Sequence, residues 1–205
     1  MESKLFEFVN RGNLRKVKRL LDAGMNVNTT TTNRETLLHW ACCGNHLKVV
    51  QLLIERGADV NARNNNGVTP LYWCCIFNNQ EIARTLLENG AHVNTVDNFG
   101  RTPLHLSASW GHVEVSRVLI RYSADTYATD SEKRTPLHVS CAMGNLHEVK
   151  LLVECWPDLT LVDSRGKTAL DYLSPKQRNE ITAYMEQLRK RRREVALLFL
   201  TARPN

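Results

Sequence analysis

The chain has 205 residues, 42% of them apolar and 23% charged, with a formal net charge of +6. That apolar share suffices for a packed core and excludes a disordered chain, and no apolar run approaches the ~20 residues that cross a bilayer. Eight Lys/Arg and three Asp/Glu lie from Lys176 to Asn205, so the preceding chain is almost neutral and offers no basic body that could track nucleic acid.

The N-terminal stretch MESKLFEFVNRGN is amphipathic and lacks the apolar segment of a signal peptide. An intracellular location, cytoplasmic or nuclear, is the expectation. Beyond it, one phrase returns at intervals of 33 residues: Thr36-Leu37-Leu38-His39, Thr69-Pro70-Leu71-Tyr72, Thr102-Pro103-Leu104-His105, Thr135-Pro136-Leu137-His138 and Thr168-Ala169-Leu170-Asp171. A period in this range marks a solenoid of small stacked units, none of which can bury its apolar face alone. Such arrays present a long surface and do not enclose a reaction.

The second unit shows the pattern best. Thr69 is a good helix cap and Pro70 fits the first helical position. A short apolar helix over Leu71–Phe77 is predicted to break at Asn78. A second helix carries Ile82, Thr85, Leu86 and Leu87 on one stripe and ends at Gly90. Between the helices, successive units place Gly12, Asn45, Asn78, Gly111 and Gly144, residues that tolerate positive φ. The second terminus holds Gly24, Gly57, Gly90 and Ser123, then Trp156, and Trp156-Pro157 predicts a remodelled last junction. Cys42, Cys75 and Cys141 share one column and Cys74 shares another with Ala41, Ser107 and Ser140. Only small residues fill both columns, so these cysteines read as small buried hydrophobes, not as disulfide partners.

The Thr-Pro-Leu-His openings, the small-residue pairs after them and Gly57-Ala58-Asp59-Val60-Asn61 resemble the ankyrin-repeat family. The resemblance covers residues 4–188. It implies an all-α repeat solenoid, an ankyrin-repeat array of helix-turn-helix units joined by β-hairpin-like loops. Residues 31–63, 64–96, 97–129 and 130–162 are the expected full repeats, with a partial N-terminal repeat at 4–30 and a C-terminal capping repeat at 163–188. Arg34 and Lys133 replace the turn Gly of the family, and Leu37 its Pro, which bears on the fingers of the first and fourth full repeats. His39, His105 and His138 fill the column whose hydrogen bonds tie neighbouring loops in the family.

Other chemical-looking strings fall into register. Gly166-Lys167-Thr168 lacks the preceding Gly of a phosphate loop, since Leu161 stands there. His39/Cys42 and His138/Cys141 have helical spacing suited to metal ligation, but they lie three repeats apart, too far to share one ion. No catalytic constellation, metal motif or cofactor motif stands out. Trp40 and Trp73 share a column with Leu106, Val139 and Tyr172, and burial between repeats is the expectation.

One first-helix column is not uniform: Gly44, Phe77, Trp110, Met143, Lys176. Its neighbour, which includes Ile76, also varies. Because the family binds partners through the exposed face of the first helix and the hairpin tips, Phe77, Trp110, Met143 and Ile76 are candidate contacts. The hairpin positions Asn66, Val68, Phe99, Arg101, Glu132 and Arg134 are expected to form a polar rim around them. Apolar patches with central aromatics are the usual hot spots of interfaces.

The C-terminal residues Ile181, Tyr184, Met185 and Leu188 have the spacing of one helical face and should seal the last repeat. Arg189, Lys190, Arg191, Arg192 and Arg193 follow, a candidate nuclear-import signal or acidic-surface contact, against the alternative of a solvated helix end. The apolar run 195–200 is expected to fold back on this cap, the alternative being the start of a region missing from this chain. Asn28, Asn61 and Asn94 follow Val and have a Leu eight residues earlier, the pattern of asparaginyl hydroxylation substrates among ankyrin repeats, although Asn also suits the turn.

These readings converge on a non-catalytic protein-protein interaction module, monomeric when free, that binds a partner protein through its concave face and hairpin tips. It needs no cofactor, metal or membrane. The alternative is an adaptor or regulatory subunit, ubiquitin-ligase-type or transcriptional, whose recruiting segment is short or missing. An enzyme with an unseen pocket and a nucleic-acid binder acting through the tail are the remaining rivals.

Overall fold

The computed structural model describes residues 2–201, with side chains for 3–195. Helices alternate in two layers. The first layer holds α1 (Glu2–Asn10), α3 (Leu37–Cys43), α5 (Pro70–Phe77), α7 (Pro103–Trp110) and α9 (Pro136–Ala142). The second holds α2 (Leu14–Asp22), α4 (Leu47–Glu55), α6 (Gln80–Glu88), α8 (Val113–Arg121) and α10 (Leu146–Glu154). In the last unit a 3-10 turn, Ala169–Tyr172, takes the place of the first helix, and α11 (Pro175–Thr201) closes the stack. First-layer helices pack on one another more closely than second-layer helices do, which curves the array with the first layer inside.

Three of the first helices, α3, α7 and α9, start with a side-chain cap. Thr36, Thr102 and Thr135 accept the backbone N–H of His39, His105 and His138, whose Nδ1 atoms accept the threonine N–H in return. This satisfies two orphan donors of the helix end. The outer nitrogen, Nε2, donates to the next finger: to Val68 O at 3.0 Å, Arg134 O at 2.8 Å and Leu161 O at 3.1 Å. Tyr72 replaces His in the second full repeat, and its hydroxyl bonds Thr95 O at 2.8 Å and also Arg101 O. Thr69 then has no imidazole partner, and its Oγ1 is buried without a hydrogen bond.

The fingers between repeats are short turns, with isolated antiparallel bridges at Thr30–Thr36 and Val162–Thr168. One backbone bond links each finger to the next: Asn65 N to Asn33 O, Asn98 N to Asn66 O, Ser131 N to Phe99 O and Ser164 N to Glu132 O. Buried Asp97, Asp130 and Asp163 each accept two backbone N–H groups of their own turn. Arg34 and Lys133 adopt φ of 59° and 58°, the same left-handed region as the turn glycines 67, 100 and 166. Their fingers therefore keep the common conformation.

The Trp156 expectation holds only in part. Trp156 takes φ 57°, matching the column of Gly57, Gly90 and Ser123, so the turn itself is kept; the junction differs in that Pro157 lacks the N–H that Ala58, Ala91 and Ala124 donate back to the second helix. The neighbours of Trp156 supply the reason for its φ: Tyr127 Oη donates to Trp156 O at 2.8 Å, and the Arg192 guanidinium lies 4.9 Å from the indole centroid. Contacts on both sides offset the steric cost of a non-glycine residue there.

The core runs unbroken through the stack, from Leu5 and Val9 to Ile181. Cys42, Cys74, Cys75 and Cys141 are buried free thiols within it, and burial pushes Cys141 up to about 12. Ile181 is fully buried, with Tyr184, Met185 and Leu188 packed against the core. The backbone is helical to Thr201, but the side chains of the expected fold-back run beyond Val195 lie outside the described residues.

Candidate interaction surface

Phe77 is the last residue of α5, Trp110 the last of α7, and Met143 caps α9. They are 49%, 61% and 56% exposed, while most neighbouring first-helix residues are buried. Exposed apolar side chains in one register on three consecutive repeats make a continuous stripe. Phe77 stacks on Trp73 at 5.9 Å, which extends the stripe inward.

Trp40 and Trp73 are half-buried, not buried as the column suggests. They wall a cavity of about 130 Å³ with His39, Cys43, Glu35 and Asn10. Trp40 donates Nε1–H to Glu35 at 3.1 Å. The residue equivalent to Glu35 one repeat on is Val68, so Trp73 Nε1 has no partner. Both indoles are too large to be covered completely at a position where the smaller Leu106 and Val139 are buried.

The finger candidates occupy a different edge. Each first helix begins at its finger and ends at the stripe, so a helix of eight residues such as α5 separates the two by roughly 10 Å. The rim expected around the stripe is thus a parallel band along one side of it. Phe99 is 59% exposed at its fingertip with Arg101 stacked on it at 5.1 Å. Arg101 and Arg134 each pair with a buried carboxylate, Asp97 and Asp130, at 2.7 Å. Glu132 lies 3.5 Å from both Arg134 and Arg165. Phe99, Arg101, Glu132 and Arg134 also line a groove of about 200 Å³ between two fingers. Asn66 is exposed, whereas Ile76 and Val68 are half-buried and their carbonyls accept from His112 and His39.

The remaining candidates have clear structural partners. Asn28, Asn61 and Asn94 each donate Nδ2–H to the carbonyl that ends the next repeat's second helix, at Gly57, Gly90 and Ser123. Their Oδ1 atoms accept from Asp59, His92 and Asp125. Arg189, Lys190, Arg191, Arg192 and Arg193 are exposed on α11. At 100° per residue these five point all round the helix and share no single face.

Ionisation within the array is set by burial. His39 and His105 are held below the usual imidazole range by desolvation, although their carbonyl partners oppose it. Among the described residues no cluster of His, Cys, Asp or Glu is arranged to hold a metal. No described helix is long and apolar enough to cross a membrane.

A sequence profile of ankyrin repeats in three copies matches residues 5–97, 64–130 and 94–163. The chain belongs to the ankyrin-repeat family. No curated protein matches the chain significantly. An ankyrin array is in general a protein-protein interaction module, and this one displays its least uniform residues on the inner layer.

Two features of this ankyrin array escaped the sequence reading. Glu148 is fully buried on α10, in a column that holds Val49, Ile82, Val115 and Ile181 and, in the N-terminal partial repeat, the exposed Lys16. That column was legible but was not set out. The second is that α3, α5, α7 and α9, with sequences LLHWACC, PLYWCCIF, PLHLSASW and PLHVSCA, contain no Asp, Glu, Lys or Arg. The charge of the inner face lies at its finger edge.

Proposed function

We propose that the chain is a non-catalytic binding module whose partner protein docks on the inner face, across the stripe of Phe77, Trp110 and Met143. The carrying observation is the exposure of these three large apolar side chains in one register of an otherwise buried layer. They need no ordering on binding, because each sits at the end of a helix fixed by the stack. A stable partner would cover on the order of 800 Å² per side. The same reading takes the free array as a monomer located in the cytoplasm or nucleus, with Arg189–Arg193 as an import or acidic-surface contact. Hydroxylation of Asn28, Asn61 or Asn94 would place an oxygen beside amides that already bridge repeats.

The test is quantitative affinity capture with the wild type and with Phe77→Ala/Trp110→Ala, both checked for melting. A partner retained by the first and lost by the second, at matched stability, supports the reading. Equal retention by both moves the site elsewhere. The adaptor reading adds one requirement, that a ligase or transcription complex copurifies through residues outside the inner face.

A further inference from the structure

The spacing of the stripe specifies the shape of what covers it. First helices of packed repeats stand about 8–10 Å apart, so Phe77, Trp110 and Met143 recur at that interval along the array. In an α-helix, residues seven apart are separated by about 10.5 Å and return to the same face within ~20°. In an extended strand, residues two apart are about 6.6 Å and four apart about 13 Å, and the intermediate odd step points to the opposite face. Only the helix matches the repeat with a same-face period.

Width and charge agree with this geometry. Roughly 10 Å separates the stripe from the fingers, and a helix with its side chains is about 10–12 Å across. The floor between them, formed by α5, α7 and α9, has no acidic or basic residue. The finger edge does: Arg63, Lys133, Arg165 and Lys167 are exposed there. Asp97, Asp130 and Asp163 are buried and occupied by their own turns, and the partly exposed Glu132 is shared between Arg134 and Arg165, which leaves the edge with an excess of positive charge. A helix crossing the repeats would turn an apolar face to the floor and stripe and one flank to these cations.

We propose, resting on the inner-face reading above, that the partner contributes an acidic amphipathic α-helix lying across α5, α7 and α9. Its apolar residues recur every seven positions against Phe77, Trp110 and Met143, and its Asp and Glu residues face the finger cations. Three contacts at this pitch need about 15 residues of helix. One further heptad toward the N-terminal repeats carries an apolar side chain to the Trp40–Trp73 cavity.

The test is selection from a random 20-residue peptide display library on the full chain. Counter-screening uses Phe77→Ser/Trp110→Ser, accepted only if its melting matches the wild type. The expected winners bind the wild type at least tenfold better than the variant and carry net negative charge. Their apolar residues are spaced by seven with fillers at three or four, and circular dichroism shows helix gained on binding. A central Pro should cost them at least tenfold, and 0.5 M NaCl should weaken them. Winners that depend on the stripe but are basic, or extended and unaffected by Pro, overturn the helix proposal and leave the inner-face site standing. Winners indifferent to the stripe, or none at all, overturn both.

Discussion

Replacing Glu148 isolates an electrostatic cost built into the fourth repeat. The carboxyl is fully buried, and neither oxygen has a hydrogen-bond partner. The nearby Ser116 hydroxyl is turned to Ser107 Oγ at 2.7 Å, so it offers the carboxylate little relief. Burial dominates and raises the Glu148 pKa from 4.5 to about 7; Ser116 and Arg117 oppose it only in part. A folded-state pKa above the unfolded one means that folding is least penalised where both states are protonated. The penalty grows as pH rises from about 4.5 and levels off above about 7. At 1.36 kcal/mol per unit, the full cost is about 3 kcal/mol.

His39 and His105 act with the opposite sign below pH 6.5, because their folded forms resist protonation. The wild-type curve alone therefore mixes the effects, and the difference between Glu148→Gln and wild type cancels the histidines. Urea unfolding followed by circular dichroism at pH 5 and pH 8 should show Glu148→Gln gaining about 2.5 kcal/mol over wild type between the two, since part of the penalty is already present at pH 5. Glu148→Val, which restores the column, should be more stable than wild type at pH 8. In a chain of this length the shift corresponds to roughly 6–12 °C in Tm. Amide exchange of α8 and α10 locates the effect if the array unfolds in stages. A Gln-minus-wild-type difference that is flat from pH 5 to 8 would refute the reasoning.

Tyr72→Phe removes the hydroxyl that joins Thr95 and Arg101 of the next finger, and should lose about 1–2 kcal/mol in urea unfolding. Lys133→Gly relieves a left-handed non-glycine residue whose side chain is exposed, and should gain roughly 0.5–1 kcal/mol; a loss would mean that the lysine makes a contact of its own. Asp130→Ala strips two turn N–H groups and Arg134 of their acceptor, and should cost about 3 kcal/mol at pH 7. The Arg134 partnership holds the Asp130 carboxyl below the usual range, so that stability is present above about pH 4 and is lost as pH falls through the lowered value. Trp110→Ala, at an exposed helix end, should move Tm by no more than about 2 °C.

The 33-residue period, the capping threonines and the left-handed columns determined the unit and its stacking, because each depends on contacts within a few residues or on one repeat meeting its copy. Gly12, Asn45 and Asn78 show this: a turn that needs positive φ selects its residue wherever it recurs. Exposure depended on more distant packing. Trp40 and Trp73 share a column with Val139, which is buried, yet remain half-buried because an indole outgrows the cover that suffices for a valine. Trp156 kept the glycine conformation because Tyr127 and Arg192 converge on it from 29 and 36 residues away. The stripe residues could be picked from sequence by their departure from a uniform column. Their distance from the fingers, the uncharged floor between and the cavity beside Trp73 were decided only by helix length and layer packing. Period is a local property repeated, whereas a surface is what the whole stack leaves uncovered.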